Sequence, residues 1–89
     1  MIAVCIVTYN HESFIAQCIE SVLAQVCDEP IRMYIGDDAS TDGTSSVCRQ
    51  YIEKDERIVY IRREKNTGLV CNTIDLYRRI MADGCEYIA

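Results

Sequence analysis

Basic residues are in short supply: nine Lys and Arg stand against fourteen Asp and Glu, for a formal charge of −5. Binding a nucleic-acid backbone rests on a positive patch that releases counterions. This balance supplies none, so no nucleic-acid partner is expected, although a single nucleotide remains compatible because one local site can outweigh the net charge. Proline occurs once and glycine four times in 89 residues, while 49% are hydrophobic. That excludes the composition of a disordered chain and predicts an ordered core. No apolar run reaches the roughly 20 residues needed to span a bilayer. The apolar stretch between Met1 and Tyr9 is short and lacks the basic flank of a signal peptide. The expectation is a soluble cytoplasmic protein, or work at the cytoplasmic face of a membrane in a longer parent. Histidine occurs once, as His11, and there is no CxxC pair, so a thiolate zinc site has no support. Six cysteines in so short a chain raise the idea of a disulfide scaffold. Yet Cys5 falls inside a strand-like run, and Cys18, Cys48 and Cys71 fall on or beside apolar helical stripes, so buried free thiols are expected. The signatures GxGxxG, GxxxxGK[ST] and GxSxG are all missing, which removes the usual dinucleotide fingerprint, the P-loop and the nucleophile elbow.

What is present is an alternation of apolar runs and amphipathic stretches. Ile2 to Val7 is continuously apolar, as in a strand covered on both faces. After the polar segment from Thr8 to Ser13, the residues Phe14, Ile15, Cys18, Ile19, Val22, Leu23 and Val26 mark a helix from about Ser13 to Gln25, which Asp28-Glu29-Pro30 ends. Ile31 to Ile35 reads as a second strand, followed by a loop dense in turn and capping residues from Gly36 to Thr44. Val47, Cys48, Tyr51 and Ile52 then predict a helix from Asp42 or Gly43 to Lys54. A third strand runs from Ile58 to Ile61, a charged loop from Arg62 to Gly68, and a third helix from Leu69 to Ala82 on the stripe Val70, Ile74, Tyr77 and Met81. A last strand begins at Glu86. The order βαβαβαβ predicts an α/β fold: a parallel, Rossmann-like three-layer unit with right-handed crossovers. One domain over residues 1–89, incomplete at its C-terminus, fits this pattern. Eighty-nine residues bury only about 60 to 65% of the unfolded chain's surface, which is marginal for such a sheet.

Ligands of parallel α/β sheets sit outside the carboxyl ends of the strands. Thr8-Tyr9-Asn10 follows the first strand, where Tyr9 can stack on a base or simply pack on the sheet rim. Asp37-Asp38 follows the second. If the strand continues, adjacent side chains point opposite ways. Asp38 is then free to accept a base N–H while Asp37 braces neighbouring amides or holds metal-bound waters. The same pair also suits a phosphoacceptor site with Mg²⁺, and a solvated turn capped by Asp42 is the plain structural alternative. Arg62, Arg63 and Lys65 are candidates for a diphosphate contact, with Gly68 allowing close backbone approach at the next helix start.

Several motifs in order carry a family resemblance over essentially the whole chain. Cys5-Ile6-Val7-Thr8-Tyr9-Asn10, Ile19-Glu20-Ser21-Val22-Leu23-Ala24-Gln25 and Asp37-Asp38-Ala39-Ser40-Thr41-Asp42-Gly43-Thr44 resemble the amino-terminal half of family 2 glycosyltransferases with the GT-A fold. Asn66-Thr67-Gly68-Leu69 and Gly84-Cys85-Glu86-Tyr87-Ile88-Ala89 are similar to the family's N-x-G loop and G-E-Y-I strand. The resemblance implies a role in polysaccharide biosynthesis and a nucleotide-diphospho-sugar donor linked to UDP, dTDP or GDP. It further implies transfer with inversion to a sugar or glycolipid acceptor. It implies nucleotide contacts from Val7, Thr8, Tyr9, Asp37, Asp38, Asn66 and Gly68. Mn²⁺ or Mg²⁺ is implied too, on an aspartate-x-aspartate pair beyond Ala89, as is a catalytic base later still. No catalytic or metal-ligating residue is therefore expected among residues 1–89. Two departures stand out: Val7 where proline is frequent, and Cys71 where a basic residue usually precedes asparagine.

Two other function classes are carried alongside. A receiver-like signalling domain uses strand-end acids for phosphorylation but normally places its acidic pair after the first strand. A structural fragment would associate with copies of itself through an exposed sheet edge.

Overall fold

The computed structural model describes residues 2–24, 30–85 and 87–88. Four strands, β1 (Ile2–Thr8), β2 (Ile31–Asp37), β3 (Ile58–Arg62) and β4 (Tyr87–Ile88), alternate with three helices, α1 (Glu12–Leu23), α2 (Thr44–Lys54) and α3 (Leu69–Ala82). All observed pairings are parallel and the sheet order is β3-β2-β1-β4. The βαβαβαβ expectation therefore holds as a Rossmann-like sheet between helical layers. The first two crossovers step one way from β1 and the third returns to its other side, so the strand order reverses beside β1. Reversal points are where open α/β sheets form ligand crevices.

Apolar patterning explains the layers. On one face Ile15 and Ile19 of α1 and Cys48 of α2 bury against Met33, Ile35 and Ile58. On the other, Leu76 and Ile80 of α3 bury against Ala3 and Tyr34. β2 is covered on both sides, hence its run of fully buried residues from Met33 to Ile35. The Tyr34 hydroxyl donates to Asp83 Oδ2 at 2.7 Å, which pins the C-terminal end of α3 to the sheet. Burial pushes the Tyr34 phenol up to about 12. Arg79 Nε donates to the same carboxylate at 3.2 Å.

The element bounds shift little from the sequence reading. β2 continues through Gly36 and Asp37, which the sequence places in the following loop; β1 and β3 each gain a residue. Gln25, Val26, Asp28, Glu29 and Glu86 lie outside the described residues. Two expectations need correction. The α3 stripe of Val70, Ile74, Tyr77 and Met81 faces outward, between 42% and 69% exposed, while the face on the sheet is Asn72, Leu76 and Ile80. Both rows repeat at helical spacing, and periodicity cannot rank them. The sheet takes the row whose asparagine can reach a strand carbonyl: Asn72 Nδ2 donates to Gly36 O at 2.9 Å. The cysteines also differ: Cys48 is buried and Cys5 and Cys85 are half-buried, but Cys18 and Cys71 are exposed free thiols. Cys18 sits beside the Ile15–Ile19 row of α1, and Cys71 lies on the side of α3 turned away from the buried row of Asn72, Leu76 and Ile80.

Burial pushes the Cys48 thiol up to about 12, whereas Cys18 and Cys71 stand in solvent. Peptide-mapped alkylation of the native chain at pH 8 is expected to label Cys18 and Cys71 at least ten times faster than Cys48, which reacts only on unfolding. Equal rates would show that α2 is not docked.

Candidate functional site

The site is built by aligning two strand ends. In the β1–β2 register Thr8 stands opposite Asp37, and the Asp38 amide donates to Thr8 O at 3.0 Å. The loops leaving these strands are then tied together. Asn10 adopts a left-handed conformation, φ 54°, which suits asparagine better than most residues. Its Oδ1 accepts the Thr41 N–H at 2.8 Å and the Asp42 N–H at 3.3 Å, and its own N–H donates to Ser40 Oγ at 2.9 Å. The starts of α1 and α2 interlock as well. Asp42 accepts from the Glu12 N–H at 3.2 Å and the Thr44 N–H at 2.9 Å, while the Gly43 N–H donates to Glu12 Oε1. Asp42 is thus more than a cap for one helix. His11, at the start of α1, is held by its N–H on Thr44 Oγ1 and by its Nδ1 against Thr8 Oγ1, both at 3.0 Å.

The two strand-end acids diverge as the alternation of side chains requires. Asp37 is fully buried; Oδ1 accepts the Ser40 N–H at 3.0 Å and the Ser40 hydroxyl at 2.6 Å, and Oδ2 accepts the Tyr60 hydroxyl at 2.5 Å. Burial and this bond push the Tyr60 phenol up to about 12. Asp38 points toward the start of α3. Its Oδ1 accepts the Thr67 N–H at 2.7 Å and the Thr67 hydroxyl at 2.9 Å, and its Oδ2 accepts the Gly68 N–H at 2.8 Å. Burial by itself would raise this carboxyl. The Thr67 N–H and hydroxyl, the Gly68 N–H and the positive charge of Arg63 more than offset that and hold it below its ordinary 3.8.

These groups frame a cavity of about 310 Å³. Val7, Thr8 and Tyr9 form one wall, Asp38 the floor, and Asn66, Gly68, Leu69 and Asn72 the other wall, with His11 at one end. A second groove of about 340 Å³ shares Val7, Thr8 and His11 and continues along Phe14, Ile15 and Cys18. Of the residues that the sequence selects, Val7, Thr8, Tyr9, Asp38, Asn66 and Gly68 come together in the cavity, and Asp37 stands behind it as a brace. Arg62, Arg63 and Lys65 do not line it. Arg62 donates to Ser40 O at 3.1 Å and Arg63 Nε to Asn72 Oδ1 at 3.2 Å, so both guanidinium groups hold loops; Lys65 is exposed. Gly68 has φ 87° and ψ 160°, a region open essentially to glycine alone, and a β-carbon there would meet no atom of the chain. Its dihedral angles, not crowding within the chain, demand glycine.

His11, Leu69 and Asn72 line the cavity without having been selected from the sequence. His11 is weighed there only as a zinc ligand; its position three residues from Thr8 at a helix start is the signal that places it. Asn72 shows as a polar residue in register with Leu76 and Ile80, and a β-carbon at Gly36 would stand 2.6 Å from Asn72 Oδ1. Among the described residues, no three His, Cys, Asp or Glu side chains come together as metal ligands. Asp37 spends both oxygens on Ser40 and Tyr60 and stands apart from any second acid ligand, so among the described residues no set fits Mn²⁺ or Mg²⁺. Nor is any described helix long and apolar enough to cross a membrane.

A Rossmann-like sheet with a cleft at its strand ends, walled by a tyrosine loop and floored by an aspartate, defines a class of ligand-binding α/β unit. Residues 3–80 match the family model described as glycosyl transferase family 2, and the chain belongs to that family. It is 33% identical over 75 residues to the glycosyltransferase GlyA of Streptococcus pneumoniae, covering 76% of this chain and 11% of that protein. It is 35% identical over 68 residues to a poly(ribitol-phosphate) beta-glucosyltransferase of Bacillus spizizenii, covering 75% and 11%. Its fold superposes with a TM-score of 0.77 at 24% identity on the mannosyltransferase PcManGT from Pyrobaculum calidifontis in complex with GDP-Man and Mn²⁺, covering 88% of this chain and 24% of that one. The chain thus spans 11% of the length of these two curated relatives. Membership of this family sets aside the receiver-like reading of Asp37 and Asp38.

Asp38→Asn is expected to destabilise the chain by about 1–3 kcal/mol at pH 6, because one oxygen is replaced by a donor facing donors. A carboxyl held below its ordinary value contributes stability above that value and loses it as pH falls. The gap between wild type and variant, read by urea unfolding, is therefore constant above about pH 5 and narrows below 3.8. A pH-independent gap would place the Asp38 bonds elsewhere. Gly68→Ala is expected to cost about 1–3 kcal/mol through dihedral strain, checked by the same unfolding curves.

Proposed function

We propose that residues 1–89 form the nucleotide-binding portion of a glycosyltransferase domain that moves a sugar from a nucleoside-diphospho-sugar to an acceptor hydroxyl. The observation that carries this reading is the meeting of Tyr9 and Asp38, 29 residues apart in sequence, on one cavity at the strand ends. Tyr9 is 43% exposed and free to stack on a heterocycle. Asp38, kept ionised by its donors, accepts the base N–H. Val7, Thr8, Asn66 and Gly68 surround the base and ribose with backbone and amide groups, and Asp37 keeps the floor in place. Arg62 ends β3, and Arg63 and Lys65 lie on the segment that leads from it to α3; in this reading the diphosphate, leaving the base pocket, passes toward that segment.

Transfer itself needs groups outside these residues. The acceptor oxygen bonds to the anomeric carbon as the bond from that carbon to the diphosphate oxygen breaks, inverting the centre, and the acceptor proton passes to a base. In this reading that base is none of residues 1–89. The acceptor is a sugar or a glycolipid, and the location proposed is the cytoplasm or the cytoplasmic face of a membrane. Among the described residues β4 pairs with β1 only at Ile2 and Ala3, so residues 4–8 present an open edge through which isolated chains can pair.

Titration of this chain with UDP, dTDP and GDP, followed by amide chemical shifts, is expected to perturb residues 7–9, 38 and 66–68. Tyr9→Ala should weaken binding about tenfold or more, in line with the loss of one stacking contact. Perturbations confined to other faces, or an unchanged affinity in Tyr9→Ala, would refute the reading.

A further inference from the structure

The base is still open between uracil, thymine and guanine, and the strap over Asp38 narrows the choice. An ionised carboxylate offers about four acceptor positions, two on each oxygen. Both positions on Oδ1 are filled by Thr67, through its N–H at 2.7 Å and its hydroxyl at 2.9 Å. One on Oδ2 is filled by the Gly68 N–H at 2.8 Å. Asp38 is only 4% exposed, so these donors are its surroundings rather than one choice among many. The strap is itself fixed: Asn66 Nδ2 donates to Asp38 O at 3.3 Å, and Asn66 Oδ1 accepts from the Gly68 N–H at 3.2 Å. Gly68 holds a conformation that only glycine adopts readily. A single acceptor position on Oδ2 remains for a ligand.

Resting on the nucleotide reading of the cleft, we propose that Thr67 limits Asp38 to one ligand N–H, so that the site takes a uridine or thymidine diphosphate sugar and rejects a guanosine one. Guanine presents its N1–H and its amino group side by side and needs both carboxylate oxygens. With Oδ1 closed, its amino group faces an oxygen whose lone pairs are already taken. Uracil and thymine present one N–H between two carbonyls, and they match a carboxylate with one open position. Cytosine has an acceptor where the others have that N–H and is repelled. A donor left unpaired in a closed site costs more than the bond it misses. Thr67 acts through Asp38 as a positioning residue, a role the surrounding motif residues do not suggest.

The test is a parallel titration of this chain with UDP, dTDP, GDP and CDP at one ionic strength, by calorimetry or amide shifts, for wild type, Thr67→Val and Thr67→Ser. Thr67 is exposed and both replacements leave the core untouched, with dispersed amide spectra confirming the fold. UDP and dTDP are expected to bind about tenfold or more tightly than GDP and CDP. Thr67→Val, which removes the hydroxyl and reopens Oδ1, should narrow the UDP-to-GDP ratio severalfold, while Thr67→Ser keeps it. GDP binding as tightly as UDP to the wild type overturns the inference and leaves the nucleotide cleft standing. A ratio unchanged in Thr67→Val, or lost equally in Thr67→Ser, overturns the role of the hydroxyl. Failure of all four nucleotides to bind overturns both the inference and the reading beneath it.

Discussion

The hydrogen bond from the Asp38 amide to Thr8 O, at 3.0 Å, closes a parallel register in which β1 and β2 end flush. Everything at the cleft follows from that alignment. Because Thr8 stands opposite Asp37, the chain leaves both strands at the same height, and Tyr9 and Asp38 meet on one cavity. A register shifted by one residue would turn each side chain to the opposite face and send Asp38 into the α1–α2 core, where an unpaired carboxylate is costly. The buried acid in that position is Asp37, and it is tolerated because Ser40 and Tyr60 occupy both of its oxygens.

The rim is held by polar groups and the body by apolar ones. Beneath the cleft, two apolar clusters fix the helices to the sheet. At the cleft, Asn10, Asp42 and Asn72 each join segments distant in sequence through main-chain groups, and Asp37 reaches the Tyr60 hydroxyl of β3. No buried side-chain nitrogen or oxygen among the described residues lacks a partner, which is what a low-dielectric rim requires. Strain collects in the same place: Asn10 and Ala39 are the described non-glycine residues at positive φ, and they flank the two acids and the tyrosine. An alanine at φ 63° persists only because the loops on either side of it are tied down.

Much of this was legible in the residue order. The alternation of periods gave seven elements in their correct order, and α3 begins and ends where its pattern does, at Leu69 and Ala82. Turn chemistry located both loops that carry the cleft. The divergence of Asp37 and Asp38 followed from strand alternation, provided that β2 ran on through Gly36, as it does. What misled was periodicity where two rows compete. The exposed row of α3 is richer in large apolar side chains than the buried one, and only the reach of Asn72 to Gly36 O shows which row the sheet accepts. Cys71 misled together with its neighbouring stripe, since that stripe faces outward, and Cys18 because a thiol beside a buried row has no pattern of its own that shows its exposure.

The sequence by itself determined the elements, their parallel order and the family, because hydrophobic period, turn residues and motif spacing are properties of neighbours along the chain. It also determined which residues are chemically fit to meet a base. Only the tertiary structure decided which of them meet, since Tyr9, Asp38 and Gly68 converge through strand register and helix docking across 59 residues of chain. It also decided that Arg62 and Arg63 brace loops and that Thr67 occupies one oxygen of Asp38. Hydrogen-bond capacity is finite, and which partner uses it depends on distances that local sequence does not encode.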